Sequence, residues 1–142
     1  MSATDDFEKY IGNQIFGTST STSISSFPSG TLYLGLHTGS PENGGANEVA
    51  SSYGYQRVDV GTTSNSGGAM FAYDSTNDRY DNQATIQFAQ ASGGDWGTVQ
   101  YAALWDASTS GNCIAFVDIN DVSITNGKQP SFATNTLQFT VT

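Results

Sequence analysis

Positive charge is scarce in this sequence of 142 residues. Only four residues are basic, Lys9, Arg57, Arg79 and Lys128, against thirteen acidic residues, so the formal net charge is −9 at pH 7. Proteins that bind nucleic acids place clustered cations against the phosphates. The charge balance therefore predicts a protein that does not bind nucleic acid.

Cysteine and long apolar runs are scarce as well. The single cysteine, Cys113, excludes a disulfide within the chain and lies in an apolar run, where we expect a buried thiol. No apolar stretch approaches the roughly 20 residues that span a bilayer. The first residues also lack the features of a signal peptide. We therefore expect synthesis in the cytoplasm and no membrane segment.

Charged residues make up only 12% of the chain, and its polarity comes instead from serine, threonine, asparagine, glutamine and 16 glycines. This composition favours short strands joined by tight turns. The predicted fold class is all-β, an antiparallel two-sheet sandwich that is jelly-roll-like, with one short N-terminal amphipathic helix. Alternating apolar residues predict strands at 31–37, 55–60, 69–73, 84–89, 98–105, 112–119 and 136–142.

Thirteen apolar side chains on these strands are predicted to form the core. Most of them recur at every second position, which places them on one face of a strand. The predicted core residues are Leu32, Leu34, Leu36, Ile86, Phe88, Val99, Tyr101, Leu104, Ile114, Phe116, Leu137, Phe139 and Val141.

The N-terminal part carries the only helical pattern, over residues 4–16. Its apolar residues at helical spacing are Phe7, Tyr10, Ile11 and Ile15. A helix of about three turns is marginal alone, so this stripe is expected to pack on the β core or on another chain. The chain is predicted to be a single domain, with the helix within 1–17, a Ser/Thr-rich linker at 18–30 and the β-sandwich at 31–142.

Catalytic residues are not marked by any motif. His37 is the only histidine, and no nucleophile motif accompanies it, so we expect a polar residue at the rim of a strand. Asp95, Asp106 and Asp118 could supply an acid and base pair for glycoside hydrolysis, but no sequence feature positions them. We therefore predict no catalytic residue and a protein that is not an enzyme.

Oxygen-bearing side chains crowd one predicted loop, from Asp74 to Asp81, which is the ligand type that Ca²⁺ requires. The spacing fits no known calcium loop, and a solvated turn built on aspartate side chains is the preferred interpretation. Asp118, Asn120 and Asp121 repeat this density on a smaller scale. We predict that no metal or cofactor is needed for folding.

Aromatic residues divide into two groups by their surroundings. Trp105 and Tyr101 lie in the most apolar predicted strand, so we expect them in the core. Tyr53, Tyr55 and Tyr80 lie near loops and are candidates for surface binding, either by stacking on sugars or by anchoring a protein interface.

Several short stretches follow one another in a distinctive order. They are GTLYLGLHT at 30–38, NEV at 47–49, YQRV at 55–58, DWGTV at 95–99, ALWDA at 103–107 and GN at 111–112. In this order they resemble a family of short virion proteins from tailed bacteriophages. In that family a short N-terminal helix precedes a Leu-Tyr-aliphatic-Gly-Leu strand, a Glu-Val segment with Tyr-x-Arg, and a Trp-Gly-Thr-Val hairpin.

The resemblance implies a structural role in a virion that is assembled in the host cytoplasm, with no catalytic residues. Family members resemble capsid decoration or cement proteins in some phages and tail or tail-fibre components in others. The first interpretation is a decoration protein that bridges subunits of the major capsid protein and stabilises the head. The alternative is a tail, tail-fibre or receptor-binding component with a glycan-binding β-sandwich.

Repeated copies on a particle favour a homo-oligomer, and we expect a trimer. Its interface candidates are the four apolar helix residues and the three loop tyrosines. Other virion proteins are the expected partners, the major capsid protein first and tail proteins alternatively.

Overall fold

The computed structural model of the chain describes residues 2–3, 31–62 and 70–140. Every paired strand in these ranges is antiparallel, which confirms the predicted all-β class. The strands are β1 (Ser2–Ala3), β2 (Thr31–His37), β3 (Val58–Thr62), β4 (Phe71–Asp74), β5 (Arg79–Asn82), β6 (Ile86–Gln87), β7 (Gly97–Trp105), β8 (Cys113–Ile124), β9 (Ser131–Phe132) and β10 (Gln138–Phe139).

The strands form three sheets. The largest has the order β1-β8-β7-β2-β3, and the smaller ones have the orders β10-β5-β4 and β6-β9. Residues of all three sheets meet in one hydrophobic core, for example Leu36, Ile86 and Phe139. Where one continuous second sheet was expected, the strands therefore divide into two small sheets that share the core with the large one.

Strand β2 has the bounds that alternation predicted, and Leu34 and Leu36 are buried in the main core. The hairpin of β7 and β8 is also as predicted, although β8 extends to Ile124. Other strands are shorter than predicted, and strands β1, β5 and β9 are additional. The two residues of β1 and of β9 carry too little alternation to be recognised from sequence. Strand β5 begins within the segment that was interpreted as a loop.

The predicted core is largely confirmed, with one correction of face. Leu32, Leu104 and Ile114 are half-buried, and Val141 lies outside the described residues. The β7–β8 pairing shifts register between Val99 and Tyr101, and Tyr101 lies on the opposite face of the sheet. The remaining eight are buried: Leu34, Leu36, Ile86, Phe88, Val99, Phe116, Leu137 and Phe139.

A second apolar cluster covers that opposite face of the large sheet. It contains Ala103, Trp105, Cys113 and Phe116, with Tyr101 packed against it. The buried cysteine and the buried tryptophan confirm the predictions made for both residues. Because β7 and β8 bury side chains on both faces, they form the centre of the fold.

The predicted helix over 4–16, with Phe7, Tyr10, Ile11 and Ile15, and the predicted linker at 18–30 lie outside the described residues. Within the described ranges there is no helix. A membrane-spanning helix is accordingly also absent from this part of the chain. Ser2 and Ala3, which the predicted division placed with the helix, instead pair with Phe116 and Ala115 of β8.

Candidate functional site

An ion pair between Arg57 and Glu48 forms the centre of a hydrogen-bonded network beside Trp105, on the second face of the large sheet. Arg57 Nε and Nη2 donate to the two carboxylate oxygens of Glu48, each at 2.7 Å. The Arg57 side chain is only 5% exposed. This two-pronged geometry is the one in which a guanidinium holds a carboxylate most firmly.

The remaining guanidinium nitrogen reaches across the fold to the β7–β8 turn. Arg57 Nη1 donates to the carbonyl oxygens of Ala107 and Ser110 at 2.7 and 2.8 Å. The guanidinium carbon also lies 3.5 Å from the centre of the Trp105 ring, in a cation–π contact. One arginine therefore joins the loop before β3 to the turn between β7 and β8.

His37 lies behind this arginine at the end of β2 and is fully buried. Its Nδ1 is 2.8 Å from the carbonyl oxygen of Ala46, to which a protonated Nδ1 donates. Its Nε2 lies 3.4 Å from Trp105 Nε1 and accepts from that indole. The expectation of a rim residue was wrong, because the loop at 38–48 folds back over the end of the strand and covers the ring.

Tyr55 completes the network from the side of the main core. Its hydroxyl donates to Glu48 Oε1 at 2.9 Å and accepts from the backbone nitrogen of Leu36 at 2.9 Å. Its ring packs edge-on against Trp96 at 5.2 Å. Tyr55 is 5% exposed, so its prediction as a surface binder was wrong.

Burial and hydrogen bonding act in opposite directions on the acid of this network. Burial raises the pKa of Glu48, but the hydrogen bonds from Arg57 and Tyr55 and the charge of Arg57 outweigh it, so the pKa lies below its ordinary value of 4.5. Burial also raises the pKa of the Tyr55 hydroxyl, with the Glu48 charge adding to the effect. Glu48 is thus ionised and Tyr55 neutral at physiological pH.

The buried imidazole of His37 is expected to make the free energy of unfolding depend on pH. Burial lowers its pKa below the ordinary 6.5, more than the Ala46 carbonyl and the Glu48 charge raise it. Below pH 6.5 the unfolded chain therefore binds more protons than the folded one, and stability falls as the pH decreases. Urea unfolding between pH 7 and 5 is expected to show a decline of at most about 1.4 kcal/mol per pH unit from this group.

The control for this pH dependence is His37→Gln, which has no titrating ring. Its unfolding free energy is expected to change less with pH over the same window, whatever its absolute stability. Glu48 loses its stabilising charge only at lower pH, because its pKa lies below 4.5. Equal slopes for the two proteins would contradict the assignment to His37.

A pocket of about 740 Å³ lies beside the ion pair, and Val49 and Tyr55 form part of its lining. Glu48 and Arg57 line it together with exposed hydroxyl and amide side chains. These hydroxyl and amide side chains belong to Ser51, Gln56, Ser108, Thr109 and Ser110. Because the two charges neutralise each other, the pocket offers hydrogen bonds without a net charge.

The remaining loop tyrosines are on the surface as predicted. Tyr53 is 49% exposed and Tyr80 is 41% exposed. Tyr53 adopts a positive φ of 54°, and its ring lies against Gly94, where a Cβ atom would come within 2.7 Å of it. The glycine thus allows the ring to lie close against the backbone.

The loop considered for Ca²⁺ is the tight turn of the β4–β5 hairpin. Asp74 accepts hydrogen bonds from the backbone nitrogen of Thr76 and from the side chain of Asn77, at 2.9 and 2.6 Å. Asp81 is buried in β5, where Arg79 pairs with it at 2.9 Å. The preferred interpretation of an aspartate-based turn is confirmed, and β5 within it was missed.

Of the three aspartates considered for glycoside hydrolysis, Asp95 and Asp106 accept hydrogen bonds from loop backbone, whereas Asp118 lies on strand β8. Asp95 accepts from the backbone of Asn126, and Asp106 accepts from the backbone of Asn112, both at 2.7 Å. Asp118 is exposed on β8. Within the described residues, no three metal-ligating side chains come together.

Sequence reasoning missed the roles of Glu48 and Arg57. Both belong to the Glu-Val and Tyr-x-Arg stretches that carry the family resemblance. These stretches alone do not show which side chains Glu48 and Arg57 contact. A signal was present, because Arg57 is one of only four basic residues and lies among strand-forming residues.

One protein-family model matches residues 2–140, a range that includes every described residue, and its description is "Podophage GP4 fiber I protein gp80". No curated protein matches the chain.

Proposed function

The chain belongs to the podophage GP4 fiber I protein gp80 family, and from this premise we propose that it is a non-enzymatic structural component of the tail fibre. The family match carries this proposal. It supports a phage structural protein located in the virion, and it favours the tail-fibre alternative over the capsid decoration role that came first in the sequence interpretation.

The buried network supports a structural role. The Arg57 side chain uses all of its nitrogens on groups of this chain, and both ring nitrogens of His37 have partners. Such fully bonded polar networks rigidify a fold. A rigid module can be repeated along an assembly without changing shape at each contact.

Other virion components are the partners that family membership implies. Within the proposal, the fold is a sandwich whose exposed tyrosines, Tyr53 and Tyr80, face partners or receptor glycans. The trimeric state stays a prediction.

Immunogold electron microscopy of intact virions tests the location. Antibodies raised against the purified full chain are expected to label the tail fibres, because a fibre component is accessible there in every particle. Protein quantification should find at most a few tens of copies per particle, since fibres are few. The matched control is an antibody against the major capsid protein, which should label the head.

Gold on the facets of the head, together with hundreds of copies per particle, would contradict the fibre assignment. That result would restore the decoration role.

A further inference from the structure

Among the described residues, one edge of strand β8 lacks a pairing strand along most of its length. One side of β8 pairs with β7 from Cys113 to Ile124, whereas on the other side the only described partner is β1, at Ala115 and Phe116. The edge at 117–123 contains a bulge, because residues 119–121 lie opposite Gln100 alone.

A groove of about 680 Å³ runs beside this edge. The segment at 128–132 also lines it, and the backbone of this segment bonds to the segment at 86–91. The apolar lining of the groove includes Val117, Ile119 and Val122 from β8. Val122 is 37% exposed, which is unusual for a large apolar side chain in the described part of this protein.

Long open edges are normally shielded, because their free N–H and C=O groups can pair with any extended chain. Here the shielding is by the bulge at 119–121 and by charge, with exposed Asp118 and Asp121 on the edge strand itself. Lys128 also lines the groove, and its Nζ donates to the carbonyl oxygen of Ser123 at 2.8 Å. Asp121 is also held in place by Gln100 Nε2, which donates to it at 3.1 Å. Acidic residues repel a second copy of a chain whose net charge is −9 and attract a basic segment.

We propose that the edge of β8 at 117–123 binds an extended, basic segment of another virion protein as an added strand. The segment would continue the line of β1 along the same edge and place alternate apolar side chains in the groove. Its backbone would bond to β8, and its lysine or arginine residues would face Asp118 and Asp121. The proposal rests on the virion role proposed above, but not on the position of the partner.

Photo-crosslinking from position 122 in assembled virions tests this proposal. Val122 is replaced by the photoreactive residue p-benzoylphenylalanine in the full chain, and the cross-linked peptide is identified by mass spectrometry. The expected product joins this chain to one other virion protein, within a basic stretch of alternating apolar and polar residues. The same replacement at Ser123, which is exposed but does not line the groove, is the matched control and should lose most of this product.

A charge reversal provides the second measurement. Asp121→Lys is expected to reduce the cross-link from position 122, whereas Glu42→Lys, at an exposed position outside the groove, should leave it unchanged. A cross-link to a second copy, to this chain's own residues, or with equal yield from position 123 would overturn the proposal. A cross-linked partner located in the head would contradict the fibre assignment but would still support strand addition to β8.

Discussion

Replacing Arg57 with alanine is expected to lower the free energy of unfolding by about 3 to 5 kcal/mol, which is the usual cost of breaking a buried ion pair from one side. The substitution leaves the half-buried carboxylate of Glu48 without its cation. It also leaves the carbonyl oxygens of Ala107 and Ser110 without their donor and removes the contact with Trp105. Because whole domains are stable by only about 5 to 15 kcal/mol, this loss is a large share of the total.

Urea unfolding followed by tryptophan fluorescence measures this effect, since Trp105 contacts the arginine directly. Arg57→Lys keeps the charge but cannot bond both carboxylate oxygens and the turn together, so its stability should lie between wild type and Arg57→Ala. Lys128→Ala, at an exposed lysine, is the control and should change stability by less than about 0.5 kcal/mol. A loss below about 1 kcal/mol for Arg57→Ala would show that the pair is replaceable by water.

Gly45→Ala is the second substitution with a large expected effect, because two separate problems meet at this residue. Its φ of 79° lies in the left-handed region, which costs alanine about 1 to 2 kcal/mol. An added Cβ atom would also overlap the Trp105 ring and come 2.9 Å from Cys113 Cβ. Overpacking of this kind typically costs about 1 to 3 kcal/mol more.

Gly127→Ala separates these two causes. Gly127 has a similar φ of 89°, but a Cβ atom there would meet nothing within 4 Å. Its loss of stability in urea unfolding should therefore be the backbone cost alone. If the two alanine variants unfold at the same urea concentration, the loop at Gly45 moves aside and does not press on the tryptophan.

Much of the β-structure could be predicted because its signal is local. Leu34 and Leu36 alternate with residues of the other face, and a strand burying one face requires that alternation wherever it lies. The same holds for the β7–β8 hairpin, whose turn residues Ser110 and Gly111 both adopt positive φ. The face of Tyr101 could not be predicted by alternation from Val99, since the β7–β8 pairing shifts register between these two residues.

The sequence shows the residues of the candidate site but not the contacts between them. Glu48 and Tyr55 are close to Arg57 in sequence, but Trp105, Ala107 and Ser110 lie about 50 residues further on. No periodicity joins positions so distant, because their contact depends on β3, β2 and β7 lying side by side in the sheet.

The all-β class, the acidic charge and the buried thiol follow from composition and from the spacing of neighbouring residues, so they can be read from the chain alone. The enclosure of His37, the internal position of Tyr55 and the link that Arg57 makes between two loops depend on the folded arrangement. The same holds for the edge of β8 that no described strand pairs with beyond Phe116. These features depend on which strands become neighbours, and strand pairing is a long-range choice made by the packing of the whole core.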